Sequence, residues 1–133
     1  MLFFVLHAMC ALYPRTEKLP GLEDTNIEAF IRKFRRETTA AFWFGIVVSA
    51  WLFEWTPLFT VFVPLPAFLL PKKLLDKHAH KIASTELYLV RQAMLVLKMP
   101  AGLCWGADAE VRKRLGLGAF EPDPTTWKGK KAA

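Results

Sequence analysis

From Thr38 to Leu70 the chain reads TTAAFWFGIVVSAWLFEWTPLFTVFVPLPAFLL, and Glu54 is the one ionisable side chain in that stretch. A surface helix of a water-soluble protein needs a polar face, and a buried strand extends over only about 4–8 residues. The run therefore reads as a membrane segment rather than as the core helix of a soluble domain. As one straight helix, Ala40 to Leu70 would measure about 46 Å against a hydrocarbon core of about 30 Å. Fitting it would take a tilt of about 50°, beyond the usual limit of about 40°. Pro57, Pro64 and Pro66 also oppose a straight helix, because each removes a backbone donor and crowds the preceding turn. The expectation is a bent insertion: a helical leg over 38–55, then a short leg over 58–70, partly extended around Pro64-Leu65-Pro66.

Basic residues stand on both sides of this run, Arg32-Lys33-Phe34-Arg35-Arg36 before it and Lys72-Lys73-Leu74-Leu75-Asp76-Lys77 after it. A single span normally shows a Lys/Arg asymmetry between its ends. Matched flanks favour a helical hairpin or re-entrant loop, with both ends on the cytoplasmic face, over a single kinked span. Arg32, Lys33, Arg35, Arg36, Lys72, Lys73 and Lys77 are then expected to reach anionic lipid headgroups, with their aliphatic stems lying along apolar surface. At 133 residues the chain amounts to one domain. The fold class that follows is all-α: a small integral membrane protein with a hairpin or re-entrant insertion and flanking amphipathic helices. Its parts are N-terminal interfacial helices over 1–37, the insertion over 38–71, an amphipathic helical region over 72–118 and a basic tail over 119–133.

The flanks carry helix signals of their own. MLFFVLHAMCALYP is apolar apart from His7, lacks a basic leader and a small-residue cleavage site, and at about 18 Å is too short to span. It reads as a short helix in the interface or tucked against the insertion. Thr25 and Glu28 have capping-box spacing, and Ile27, Phe30, Ile31 and Phe34 recur at helical intervals among Arg32, Lys33, Arg35 and Arg36. No breaker intervenes before Phe42, so this helix is expected to run into the first leg. A second helical block is predicted over 72–99, closed by Pro100 and Gly102. Asp108 is placed to cap a short helix through Arg112-Lys113-Arg114, ended by Gly116 and Gly118.

Little in the sequence points to chemistry. Cys10 and Cys104 form no CxxC and have no His pair at finger spacing, which argues against a zinc module or a disulfide scaffold. No GxSxG, P-loop, HExxH or dinucleotide fingerprint is present, so the expectation is a chain without catalytic residues, resident metal or cofactor. His78 and His80 are two apart and would diverge on a helix, which leaves them on a solvated or headgroup-contacting basic face. Glu54, in Glu54-Trp55-Thr56-Pro57, is expected at the far turn of the hairpin with its carboxylate reaching water. A net charge of +6 suits anionic lipid. The basic residues flank an apolar run rather than an aromatic base-stacking platform, so nucleic acid is not expected as a partner.

One stretch has a familiar look. Leu69-Leu70-Pro71, Leu75-Asp76-Lys77-His78, Tyr88-Leu89-Val90-Arg91-Gln92, Leu97-Lys98, then Ala107-Asp108-Ala109-Glu110-Val111-Arg112 and Leu115-Gly116 resemble the helical region that precedes the flavin domain in long-chain alcohol oxidases of the glucose–methanol–choline family. The stretch is also similar to the small accessory subunits of membrane-bound gluconate-type dehydrogenases. The resemblance implies a membrane-attached helical partner for a large flavin oxidoreductase. The Gly-rich flavin fingerprint and the catalytic His region are missing, so it transfers neither FAD nor catalysis.

The function expected is thus that of a non-catalytic accessory or anchoring subunit, with Arg91, Trp105 and Trp127 as partner contacts, since buried aromatics and Arg dominate such surfaces. One rival is an electron-transfer subunit that holds haem b through His7, His78 or His80, or a quinone through Trp43, Trp51 or Trp55. The other is a stand-alone hairpin that shapes membranes.

Overall fold

The computed structural model describes residues 1–118, so Trp127 and the basic tail lie outside the described residues. Among the described residues there are seven α-helices and no strand. Helix α3, Ala40–Trp55, fills the first part of the apolar run and ends at Trp55 as expected; its start is set by Thr39 as N-cap, the hydroxyl accepting from the Phe42 N–H at 3.3 Å. Its apolar residues surround the whole circumference. Ile46, Val47, Ala50 and Phe53 turn inward, and Phe44, Val48, Trp51 and Trp55 recur on the opposite, exposed side.

Helix α1, Leu2–Leu12, packs against α3 through Val5, Ala8 and Met9, which makes it tucked in rather than lying apart. Helix α2, Ile27–Glu37, buries Ile27 and Ile31 and exposes its arginines, as its periodicity predicts. Two details differ. Thr25 does not cap α2: its hydroxyl donates to Leu22 O at 2.7 Å, while Glu28 pairs with Arg32. A turn intervenes at Gly21, Leu22–Asp24 forming one turn of 3-10 helix whose Asp24 carboxylate accepts from the Gly21 N–H at 2.9 Å. Nor does α2 run into α3. Thr38 and Thr39 are both extended, and Thr39 spends its side chain on a new helix start.

After α3 the second leg is short and largely non-helical, as the prolines dictate. Helix α4, Pro57–Thr60, is a single turn; the chain then bends at Pro64 and Leu65, is extended at Pro66 and closes in a 3-10 turn at Ala67–Leu69. The block from 72 is not one helix. Helix α5, Lys72–Ala83, ends where the Ser84 hydroxyl turns back onto His80 O at 2.7 Å, and α6, Tyr88–Ala107, leaves it at 115°. Pro100 and Gly102, expected to close this helix, lie inside α6. Packing overrides their propensity: Pro100 and Ala101 are buried, and α6 lies against α1, α2, α3 and α5. Helix α7, Ala109–Arg114, is capped by Asp108, which accepts from the N–H groups of Glu110 and Val111, and Gly116 follows at φ 71°.

No single helix among the described residues is long and apolar enough to cross a membrane; only α5 and α6 taken together, across their bend, reach that length and composition. Helix α3, at 16 residues, measures about 24 Å.

The connection between α1 and α2 is drawn tightly at Gly21, where a Cβ would meet the Arg15 backbone nitrogen at 2.6 Å. Backbone cannot swing aside as a side-chain tip can. Gly21→Ala is expected to destabilise the fold by about 1–3 kcal/mol, read as a lowered denaturation midpoint against Gly118→Ala, where the added methyl meets open space.

Candidate functional site: an aromatic surface over a His–Glu pair

The exposed side of α3 continues without interruption into neighbouring elements. Trp51 stacks on Trp55 at 6.3 Å, Phe4 of α1 meets Trp51 at 5.8 Å, and Phe68 lies against Phe3 and Phe4 at 6.2 and 5.6 Å. Beyond Trp55 the chain adds Leu58, Phe59, Phe62, Leu65 and Leu69, all exposed. Phe62 is the extreme case: 81% of it is accessible, and its φ of 58° is one that bulky L residues rarely adopt. Its backbone turns the ring outward at a conformational cost of about 1–2 kcal/mol.

Directly beneath the rings lies the polar centre of the molecule. Glu54 is fully buried, which corrects the expectation of a water-exposed carboxylate at a far turn. His7 Nδ1 lies 2.6 Å from Glu54 Oε1, and Oε2 accepts from the Phe68 backbone N–H at 3.0 Å. A carboxyl group enters an apolar interior only when its oxygens find partners, and His7 Nδ1 and the Phe68 N–H supply one to each. Periodicity leaves α1 either in the interface or against the insertion, but His7 is the lone base of one apolar stretch and Glu54 the lone acid of the other. That complementarity is the cue it missed.

His78 is likewise buried, not on a solvated face. Its Nε2 donates to Phe53 O at 2.8 Å, and its Nδ1 meets the Thr60 hydroxyl at 2.5 Å, so it ties α5 to the end of α3. Burial pushes its imidazole pKa below the ordinary value, against a smaller opposing pull from its bond to Phe53 O and from Glu54. Both ring nitrogens of His78 are thus engaged within the fold. His80 is exposed. Among the described residues no three metal-binding side chains converge.

The two basic clusters line separate clefts at opposite ends of α1. Arg32, Arg35 and Arg36 surround one with Leu2; Lys72 borders another with His7, Cys10, Pro14 and Asp76. Lys33, Lys73 and Lys77 are exposed. Cys10 sits beside His7 in that second cleft, yet desolvation, then Glu23 and Cys104, raise its thiol to about 11, so it is a protonated thiol at neutral pH. Arg91 is exposed at the start of α6. Trp105, expected to face a partner, is half-buried against Tyr13, and its indole N–H donates to Pro20 O at 2.9 Å. Its role here is to close the α1–α2 connection onto α6. Trp43 packs under Arg35, while Trp51 and Trp55 belong to the aromatic surface.

Removing one member of the His–Glu pair should cost far more than removing both. His7→Leu leaves the buried carboxylate without its partner and is expected to cost about 3–5 kcal/mol, much of which His7→Leu/Glu54→Met recovers; thermal denaturation of the three proteins in one mild detergent measures both steps. For His78 the folded imidazole binds its proton less readily than the unfolded one, so the unfolded state takes up more protons on acidification. Stability is therefore full above about pH 6.5 and falls as pH drops below it. The fall should be shallower in His78→Gln, tested by denaturation midpoints between neutral and mildly acidic pH.

Comparisons with known protein families, with curated proteins and with solved structures give no match to this chain.

Proposed function

We propose that this protein is a membrane-embedded helical subunit that uses the exposed side of α3 and the 57–70 segment as its lipid-facing surface and serves as an anchor for a larger complex. The observation that carries the reading is the continuous run of exposed rings and aliphatic side chains from Phe44 through Trp55 and Phe62 to Leu69. A monomeric soluble protein rarely leaves so extended an apolar surface in water. Charge supports lipid as its occupant: Arg35 lies 5.4 Å from the Trp43 ring at one margin, and Lys72 and Lys73 follow Leu70 at the other. Tryptophans beside basic groups suit the headgroup region, where one part of the side chain is dry and another wet. Since α3 is shorter than the hydrocarbon core is thick, the mode of attachment is shallow, within one leaflet, with the basic groups toward the cytoplasmic water.

The anchoring role is supported by a second apolar strip on α6, Leu95, Met99 and Leu103, with Leu87, Tyr88, Leu89 and Arg91 at its start. The resemblance of the stretch from Arg32 to Gly118 to helical parts of flavin oxidoreductase systems makes such an enzyme the partner to try first. In this reading the protein itself supplies attachment and not catalysis.

The test is release from the membrane. Wild-type protein should stay with the membrane fraction through an alkaline wash. Trp55→Glu/Phe59→Glu/Phe62→Glu puts three charges on the outermost positions, none of them in the core, and should lower the affinity for phosphatidylcholine vesicles by at least about 100-fold. A triple variant that sediments with vesicles like the wild type would reject the reading.

A further inference from the structure

The last two turns of α2 hold Arg32, Arg35 and Arg36 at spacings of three and four, which places them along one side of the helix. With Leu2 they line a half-open cleft of about 310 Å³. Two of the three guanidinium groups are held in place. Arg32 donates through Nε and Nη2 to Glu28 Oε1, at 3.1 and 2.5 Å, and Arg35 rests over Trp43. Arg36 has neither an ion pair nor a hydrogen bond among the described residues. One carboxylate set against three arginines leaves the cleft with surplus positive charge and many N–H donors still open.

The one residue that lines the cleft beside the arginines, Leu2, is apolar, and exposed apolar residues stand next to these positions in the chain. Leu2 is flanked by the exposed Met1 and Phe3, and Trp43 leads into Phe44, the first ring of the exposed side of α3. A fork of planar guanidinium groups matches the oxygens of a phosphate, and an oily wall beside it matches a hydrocarbon chain attached to that phosphate. Resting on the membrane reading above, we infer that this cleft binds the phosphate of one membrane lipid, with an acyl chain lying along Leu2 and Phe44. A free phosphate would leave the apolar wall unused, and a merely solvated basic face would work as well with lysine.

That difference gives the test. Vesicle affinity is measured by co-sedimentation on phosphatidylcholine alone and on phosphatidylcholine doped with phosphatidic acid. The wild-type chain is expected to prefer the doped vesicles. Arg32→Lys/Arg36→Lys, which keeps every charge but loses the forked geometry, should lose about tenfold of that preference, the value of one charge-assisted contact. Lys72→Gln/Lys73→Gln, which removes two charges elsewhere, should lose less. If the Arg-to-Lys variant keeps the wild-type preference, or the Lys-to-Gln variant loses as much, the cleft is only part of a diffuse positive field and the inference is overturned. Inorganic phosphate that abolishes the preference at concentrations matching the lipid phosphate also overturns it, since the hydrocarbon wall would then contribute nothing. Failure of the wild-type chain to bind phosphatidylcholine at all would sink the membrane reading itself, an outcome separate from loss of preference.

Discussion

A single carboxylate organises this fold. Glu54 holds α1 through His7 and the Pro-rich 57–70 segment through the Phe68 N–H, so three stretches of chain that are apolar almost everywhere else meet at one polar point. Apolar packing alone specifies such an arrangement poorly, because greasy faces slide past one another at little cost. A buried acid tolerates no such sliding: displacement by one residue leaves it bare. His78 repeats the device one residue earlier along α3, fixing α5 on Phe53 O and Thr60. Register among helices that hydrophobicity cannot rank is thus set by two imidazoles.

With register fixed in this way, α3 serves two surroundings at once. Its inner side, Ile46, Val47, Ala50 and Phe53, joins the common core with α1 and α6. Its outer side, Phe44, Val48, Trp51 and Trp55, is no more polar and is largely exposed among the described residues. A helix apolar on every side belongs where both surroundings are dry, which is why lipid is the occupant argued for the outer side. The arginines of α2 and the lysines of α5 stand at the margins of that surface, where a change from hydrocarbon to water falls naturally.

Much of the architecture was legible in the sequence, because periodicity and capping are local. The amphipathic α2, the end of α3 at Trp55, the non-helical Pro-rich segment after it and the Asp108-capped α7 all follow from short-range rules. What the sequence hid was contingent on tertiary contacts. The helix through Pro100 is held by the packing of one side of α6 on other helices, and Gly102 lets Tyr13 approach so closely that a Cβ there would sit 2.9 Å from its hydroxyl. The break at Ser84 depends on a hydroxyl choosing His80 O over water. The burial of Glu54 and His78 could not be read locally either, since their partners lie 47 and 25 residues away. The basic residues and tryptophans were identified by type, but only the structure separates Arg32, Arg35 and Arg36, which share a cleft, from Trp105, which is committed to Pro20.

The position of His7 also bears on how the chain can be handled. Because the base that meets Glu54 among the described residues sits on α1, that helix is a structural strut of the interior. Trimming it to improve expression, or burying it under a bulky fusion, would strand an acid in the dry centre of the bundle. Fusions and labels belong at the other terminus.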